Sequence, residues 1–265
     1  MFKFNRKIHK GVSDIANVEV IEVDGVRSLY LASSTIQSSM RVKSPFALEL
    51  AYSRGMMCFL LFNQKFKHVL NIGLGGGSVP KYIHNFCPTI LQTIVEINPQ
   101  VINTARSHFY VPDNDDRLNI IEGDGLARLA NHPLSADVLM IDAFDGKGIP
   151  ADFCSQDFFD RCEMALNVDG ILVINLWGSD KNFDIYLRRI EQSFNDQVLM
   201  LPTGKPGNIV VFAFKNAPTM SITKLRERAT ALENALEKPH KIEYVDFLDK
   251  LCDHNPHNNQ QFFAE

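Results

Sequence analysis

The chain has 265 residues, 45% of them hydrophobic, which suits one large core with a small appendage. Its 27 basic and 31 acidic residues give a formal net charge of -4, so there is no basic excess to mark a nucleic-acid or anionic-membrane surface. No apolar run reaches the length of a membrane span, and the basic N-terminus lacks the apolar stretch of a secretion signal; a cytoplasmic enzyme or binding protein is the expectation.

Residues 17 to 43 alternate as strands do. NVEVIEV and SLYLASS flank Asp24-Gly25, a hairpin signal, and Thr35 to Val42 has the pattern of a third strand. Residues 1–43 therefore form a small antiparallel sheet, too small to stand alone, that must pack on the main domain or on a second subunit. Ser44-Pro45 reads as a helix start, with a helix running to about Leu61. From there strand and helix alternate. HVLNI is followed by a helix from Ser78 to Phe86, LQTIVEI by one from Asn98-Pro99 to Phe109, and LNIIEG by one from Asp124 to Asn131. ADVLMID precedes a helix from Ser155 to Leu166, and GILVINLW precedes one that Ser179 caps and that ends near Phe194. QVLMLP and NIVVFAF then face each other across a hairpin signal at 203–207.

Alternation of this kind implies right-handed crossovers and a mostly parallel sheet covered on both faces. The closing hairpin puts an antiparallel strand into that sheet. The expected fold is thus α/β: a doubly wound, mostly parallel sheet of the S-adenosylmethionine-dependent methyltransferase type in residues 44–216, behind the N-terminal β domain. Residues 217–265 form a helical tail with stretches at Ile222 to Glu237 and Ile242 to Cys252.

In such a sheet, ligands lie at the carboxyl ends of the strands. The first strand runs into Gly73-Leu74-Gly75-Gly76-Gly77-Ser78, where glycines permit positive φ and close approach of a ligand. The second strand ends at Glu96, about 20 residues on, the spacing at which a carboxylate accepts from ribose hydroxyls. The third ends at Gly123-Asp124-Gly125, where Asp124 is placed to accept from an adenine amino group. The fourth ends at Asp142-Ala143-Phe144-Asp145 and the fifth at Asn175 and Trp177. A turn for the glycines and helix capping for Glu96 and Asp124 are the plainer alternatives, but their convergence points to an adenosine-containing ligand. The dinucleotide pattern would need a third glycine at position 78, which is Ser78, and no second mononucleotide half follows Asp142; NAD is set aside for an S-adenosyl ligand. Asp142 and Asp145 can bind an amine as its cation and take its proton. A sulfonium is already a good leaving group, so no metal is expected. The five cysteines, an odd number without CxxC spacing, read as reduced packing thiols, Cys154 included despite its place near the candidate chemistry. His254 and His257, in a polar tail without partner ligands, are not read as a metal site.

These features resemble the spermidine synthase-like aminopropyltransferases across about Asp24 to Lys215. The resemblance is carried by the Asp24-Gly25 hairpin with Gln37, the helix holding Tyr52, the glycine loop, Val95 to Pro99, residues 123 to 125, and Asp142 to Asp145 followed by Pro150. It implies that Gln37 and the glycines at 73, 75, 76 and 77 touch the nucleoside or its tail. It also implies that Glu96 holds the ribose and that Asp124 with Gly125 holds the adenine. Tyr52 would lie beside an amine channel, Asp142 would be the acid/base, Asp145 a second amine contact, and Phe144 to Asp157 a gate. The small sheet would assist a homodimer. Family members carry an aspartate where this chain has Gly76, and a histidine where it has Cys58. An aspartate there suits the ammonium of decarboxylated S-adenosylmethionine and would repel the carboxylate of S-adenosylmethionine itself. Gly76 leaves either donor open. The leading expectation is aminopropyl transfer to a small amine; a methyltransferase using the same pocket and a non-catalytic nucleoside-binding scaffold are the alternatives.

Overall fold

The Asp24-Gly25 signal is a tight turn in which both residues hold positive φ, 52° and 77°, the geometry that matches strand twist. It joins β2 (Val18–Val23) to β3 (Val26–Leu31), and β4 (Ile36–Arg41) pairs on the far side of β3. A further strand, β1 (Asn5–Gly11), pairs antiparallel with β2. Its sequence, NRKIHKG, has one aliphatic side chain and so carried no readable alternation. This computed structural model describes residues 5–11, 17–143, 149–204, 207–218, 220–255 and 262–264. The four-stranded sheet is docked, as its size requires: Val18, Val20, Leu29 and Met40 are buried against Ile102, Ala105 and Phe109.

The single helix expected from Ser44 to Leu61 does not form. Ala47 N donates to Ser44 O in a turn, and helix appears as two short pieces, α1 (Ala51–Met56) and α2 (Phe59–Phe62). The reason is tertiary. The Pro45 carbonyl, which a helix would use internally, accepts instead from Lys81 Nζ at 2.9 Å.

The main sheet follows the alternation closely. Its strands are β5 (His68–Ile72), β6 (Leu91–Glu96), β7 (Leu118–Glu122), β8 (Ala136–Ile141), β9 (Leu166–Trp177), β10 (Val198–Pro202) and β11 (Asn208–Phe214). Their order is β10-β11-β9-β8-β5-β6-β7. Strands β5 to β9 are parallel, and β11 runs antiparallel between β9 and β10. The crossover helices are α3 (Ser78–Phe86), α4 (Pro99–Phe109), α5 (Gly125–Asn131), α6 (Gln156–Ala165) and α7 (Phe183–Ser193). Asn98, Asp124 and Ser155 cap α4, α5 and α6 through their side chains, as their positions predict. Ser179 does not cap α7, which starts after Asn182; Asp180 Oδ1 takes the Asn182 N–H at 2.8 Å and turns the chain first.

Alternating residues of the strands feed two cores. Val69, Val138, Met140 and Val173 face one, with α2, α3 and the C-terminal helices α8 (Ile222–Asn234) and α9 (Tyr244–His254). Leu70, Ile72, Leu139 and Ile174 face the other, with α6 and α7. The C-terminal stretch is thus part of the covering layer, burying Leu225, Phe247, Leu248 and Leu251. The strand order reverses between β5 and β8, and this is where a doubly wound sheet opens a crevice at its carboxyl edge. No helix among the described residues is long and apolar enough to cross a membrane.

Candidate active site

The crevice holds a cavity of about 460 Å³. Gly73, Gly75, Glu96, Asp124, Gly125 and Asp142 line it from the main sheet, while Gln37 and Tyr52 reach it from β4 and α1. Among the described residues the sequence-predicted set therefore converges, with two exceptions in the glycine loop. Gly73 has φ 94°, and a Cβ there would lie 2.5 Å from the Asp142 carbonyl, so glycine lets the loop lie against the strand that carries the acid. Gly76 and Gly77 do not line the cavity. A Cβ on Gly76 would meet Ser38 Oγ at 2.7 Å and Phe109 Cδ1 at 3.0 Å, and one on Gly77 would meet Val111 Cγ2 at 2.3 Å. These two glycines serve the seat of β4 and α4 on the loop.

At the far end, Glu96 is buried and accepts from Leu74 N at 2.9 Å and from Asn98 N at 2.8 Å. Burial raises its pKa, and these backbone N–H groups oppose that rise. The carboxylate thus ties the glycine loop to the end of β6 while lining the cavity. Asp124 accepts from Leu126 N at 2.8 Å as the cap of α5. The cap uses one carboxylate oxygen, Oδ1, and the same residue lines the cavity. A Cβ on Gly125 would lie 2.4 Å from Ile72 Cγ2, so that glycine is needed for packing as well.

Asp142 stands where two cavities meet. A second cavity, of about 510 Å³, shares Gln37, Tyr52 and Asp142 with the first and continues along Thr35, Asn175, Trp177, Thr203 and Asn208. Asn175 Nδ2 donates to Asp142 Oδ1 at 3.0 Å, and Asn208 Nδ2 donates to Asn175 Oδ1 at 2.9 Å. The Tyr52 hydroxyl donates to the Gln37 carbonyl at 3.1 Å, and Tyr52 lines both cavities beside Asp142. Burial raises the Asp142 pKa; the Asn175 hydrogen bond and the nearby Tyr52 hydroxyl oppose that rise. Burial, then the Asp142 charge, pushes the Tyr52 phenol well up. Asp145 and the start of the expected gate, Phe144 to Gly148, lie outside the described residues; Pro150, Asp152 and Phe153 from the same stretch line the first cavity. Cys154 is buried with its thiol pushed up to about 11 by desolvation, in keeping with a packing role.

Polar cavity residues that escaped sequence reasoning include Ser38, Asn208 and Asn71. Ser38 sits on β4 with Oγ 3.1 Å from Ser78 Oγ. Asn208 opens a strand read only as part of a hairpin. Asn71 is the middle of an apolar run, VLNI, and lines the first cavity 5% exposed. Its Nδ2 has no hydrogen-bond partner among the described residues. A buried amide in a core strand breaks the local apolar pattern, and that is the signal by which it could have been noticed.

The sequence matches the spermine/spermidine synthase domain over residues 49–222. A polyamine aminopropyltransferase from Chromobacterium violaceum is 38% identical, over 95% of this chain and 95% of its own. Among solved structures, a spermidine synthase in complex with the transition state analogue AdoDATO superposes with a TM-score of 0.76. It is 21% identical and the match covers 96% of this chain and 88% of that one. Human methyltransferase-like protein 13 in complex with SAH, 26% identical, superposes with a TM-score of 0.64 over 71% of this chain and 93% of its own.

Proposed function

The chain belongs to the spermine/spermidine synthase family and is an aminopropyltransferase; we propose that its donor is decarboxylated S-adenosylmethionine and that Asp142 accepts the proton of the attacking amine. The methyltransferase and scaffold alternatives give way to the full-length likeness with aminopropyltransferases. The observation that supports the site assignment most directly is the shared wall. Gln37, Tyr52 and Asp142 separate a cavity with nucleoside-type ligating groups from one open to a second reactant.

The adenosine occupies the first cavity, its ribose on Glu96, its base beside Asp124 and Gly125, its sulfonium near Gly73 and Gly75. The acceptor, a polyamine-type amine, enters the second cavity beside Tyr52, with Asp145 as a further amine contact. Its nitrogen lone pair attacks the carbon next to sulfur. The C–N bond forms as the C–S bond breaks, and the sulfur keeps the electron pair as neutral methylthioadenosine. The new secondary ammonium gives its proton to Asp142. Asn175 occupies Asp142 Oδ1, which leaves the other oxygen for the amine. Burial raises the carboxyl's pKa, which favours its taking up the proton, and the Asn175 hydrogen bond opposes that rise. A cytoplasmic homodimer, with the N-terminal sheet at its contact, completes the proposal.

Incubation with decarboxylated S-adenosylmethionine and putrescine should release methylthioadenosine. Turnover of the undecarboxylated donor alone would overturn the donor assignment. Asp142→Asn should lower kcat by about 10²-fold or more while calorimetry shows unchanged methylthioadenosine affinity; retained turnover would remove Asp142 from its role.

A further inference from the structure

The Asn175–Asp142 hydrogen bond raises a question of direction. A carboxamide has a donor end and an acceptor end of nearly the same shape. Asn175, 2% exposed on β9, could meet Asp142 with either. With Nδ2 forward it gives the carboxylate a hydrogen bond; turned over, it would set an oxygen against an oxygen. Nothing in the shape of the pocket decides between the two.

Asn208 decides it. It is the first residue of β11, 6% exposed, 33 residues away in the chain. The register pairs Val210 with Asn175 and Asn208 with Trp177. Asn208 therefore lies on the same sheet face as Asn175, one pair further toward the carboxyl end of β9. Its main-chain carbonyl accepts from Thr203 N and from Thr203 Oγ1, both at 3.0 Å, which pins its backbone at the hairpin. From there its Nδ2 donates to Asn175 Oδ1 at 2.9 Å. A donor aimed at that oxygen leaves Asn175 a single satisfied orientation, with its own Nδ2 on Asp142. The inner neighbours on this face, Val138, Met140, Val173 and Val210, are fully buried and apolar, so none of these four offers the amide a hydrogen bond. Tyr52 of α1 is the titratable group that faces Asp142 among the described residues.

We propose that Asn208 is a positioning residue for aminopropyl transfer, locking the Asn175 amide in the orientation that gives Asp142 a donor and holds its carboxylate toward the acceptor amine. The inference rests on Asp142 as the proton acceptor. It adds a role for the antiparallel hairpin, whose inserted strand brings a polar side chain to an acid borne by a parallel strand.

The test is the pH profile of kcat with decarboxylated S-adenosylmethionine and putrescine. Asn208→Leu keeps the branched shape and removes the donor. It should lower kcat about tenfold at neutral pH, the scale of one hydrogen bond to a charged group, and move the acid limb up by about one pH unit. Methylthioadenosine affinity should stay within about twofold, because the nucleoside cavity is not touched. Asn208→Asp, close to isosteric, should move the acid limb further, since its oxygens call for a donor from Asn175 and turn that amide over. In an Asn175→Leu background, Asn208→Leu should change nothing more. An unmoved acid limb in either single variant, additive losses in the double variant, or a parallel loss of methylthioadenosine binding would overturn the proposal. Failure of the underlying assignment is seen separately, as retained turnover in Asp142→Asn.

Discussion

Gly76→Ala isolates what the glycine loop does at the position where the family pattern carries an aspartate. Gly76 is not among the residues at positive φ, so a side chain meets no backbone strain there. The obstacle is steric. An added Cβ would lie 2.7 Å from Ser38 Oγ, 2.9 Å from Ser38 Cβ and 3.0 Å from Phe109 Cδ1. Ser38 is buried on β4, and Phe109 is fully buried at the end of α4, so neither can swing clear. Overpacking of this kind costs about 1–3 kcal/mol. The stiffer unfolded chain returns about 0.4–1 kcal/mol. The expected net loss is about 1–2 kcal/mol, a fall in Tm of about 2–4 °C per kcal/mol for a chain of this size. Urea unfolding with an unchanged m-value reads it directly. In a Ser38→Gly background the two shortest contacts vanish, and the same substitution should cost about 1 kcal/mol less. If Gly76→Ala is as stable as the parent, or costs the same in both backgrounds, Ser38 does not fill the place of a residue-76 side chain. An aspartate meets the same obstacle, so restoring the family residue by itself should destabilise the fold rather than sharpen donor binding.

Two further predictions concern buried polar groups. Asn71→Leu removes an amide whose Nδ2 is unpartnered among the described residues and should raise stability by about 1 kcal/mol, seen as a higher urea midpoint; a lower midpoint would show that the amide is satisfied. Lys81 is 1% exposed, donates to the Pro45 and Phe109 carbonyls, and is pushed down to about 7 by burial. Between about pH 7 and the ordinary lysine value the unfolded chain binds a proton that the folded one does not, so this group's contribution rises with pH across that window and is lost as pH falls through 7. Relative to Lys81→Met, the parent should gain about 2 kcal/mol from pH 7 to 9 in denaturant titrations; parallel curves would refute it.

Most of the architecture was legible in the residues because it is set by local physics. Apolar alternation and the caps at Asn98, Asp124 and Ser155 place strands and helices with information held within a few residues. The glycine loop, Glu96, Asp124 and Asp142 were legible for a topological reason: in a doubly wound sheet, strand ends share one edge whatever the details of packing. What failed was whatever depended on a distant partner. The helix expected from Ser44 gave way to a hydrogen bond from Lys81, and β1 exists because β2 offers an open edge, not because its own sequence alternates.

The glycine loop divides in the same way. Its position and its turn followed from the amino-acid order alone. That Gly73 and Gly75 face the cavity while Gly76 and Gly77 admit Ser38, Phe109 and Val111 was decided only when the N-terminal sheet and α4 closed over it. The wall between the two cavities is likewise tertiary. Asp142, Tyr52, Gln37, Asn175 and Asn208 come from five separate segments, and their hydrogen bonds exist only once the strand order brings those segments together. A sequence specifies which groups are present; which donor meets which acceptor is a property of the folded register.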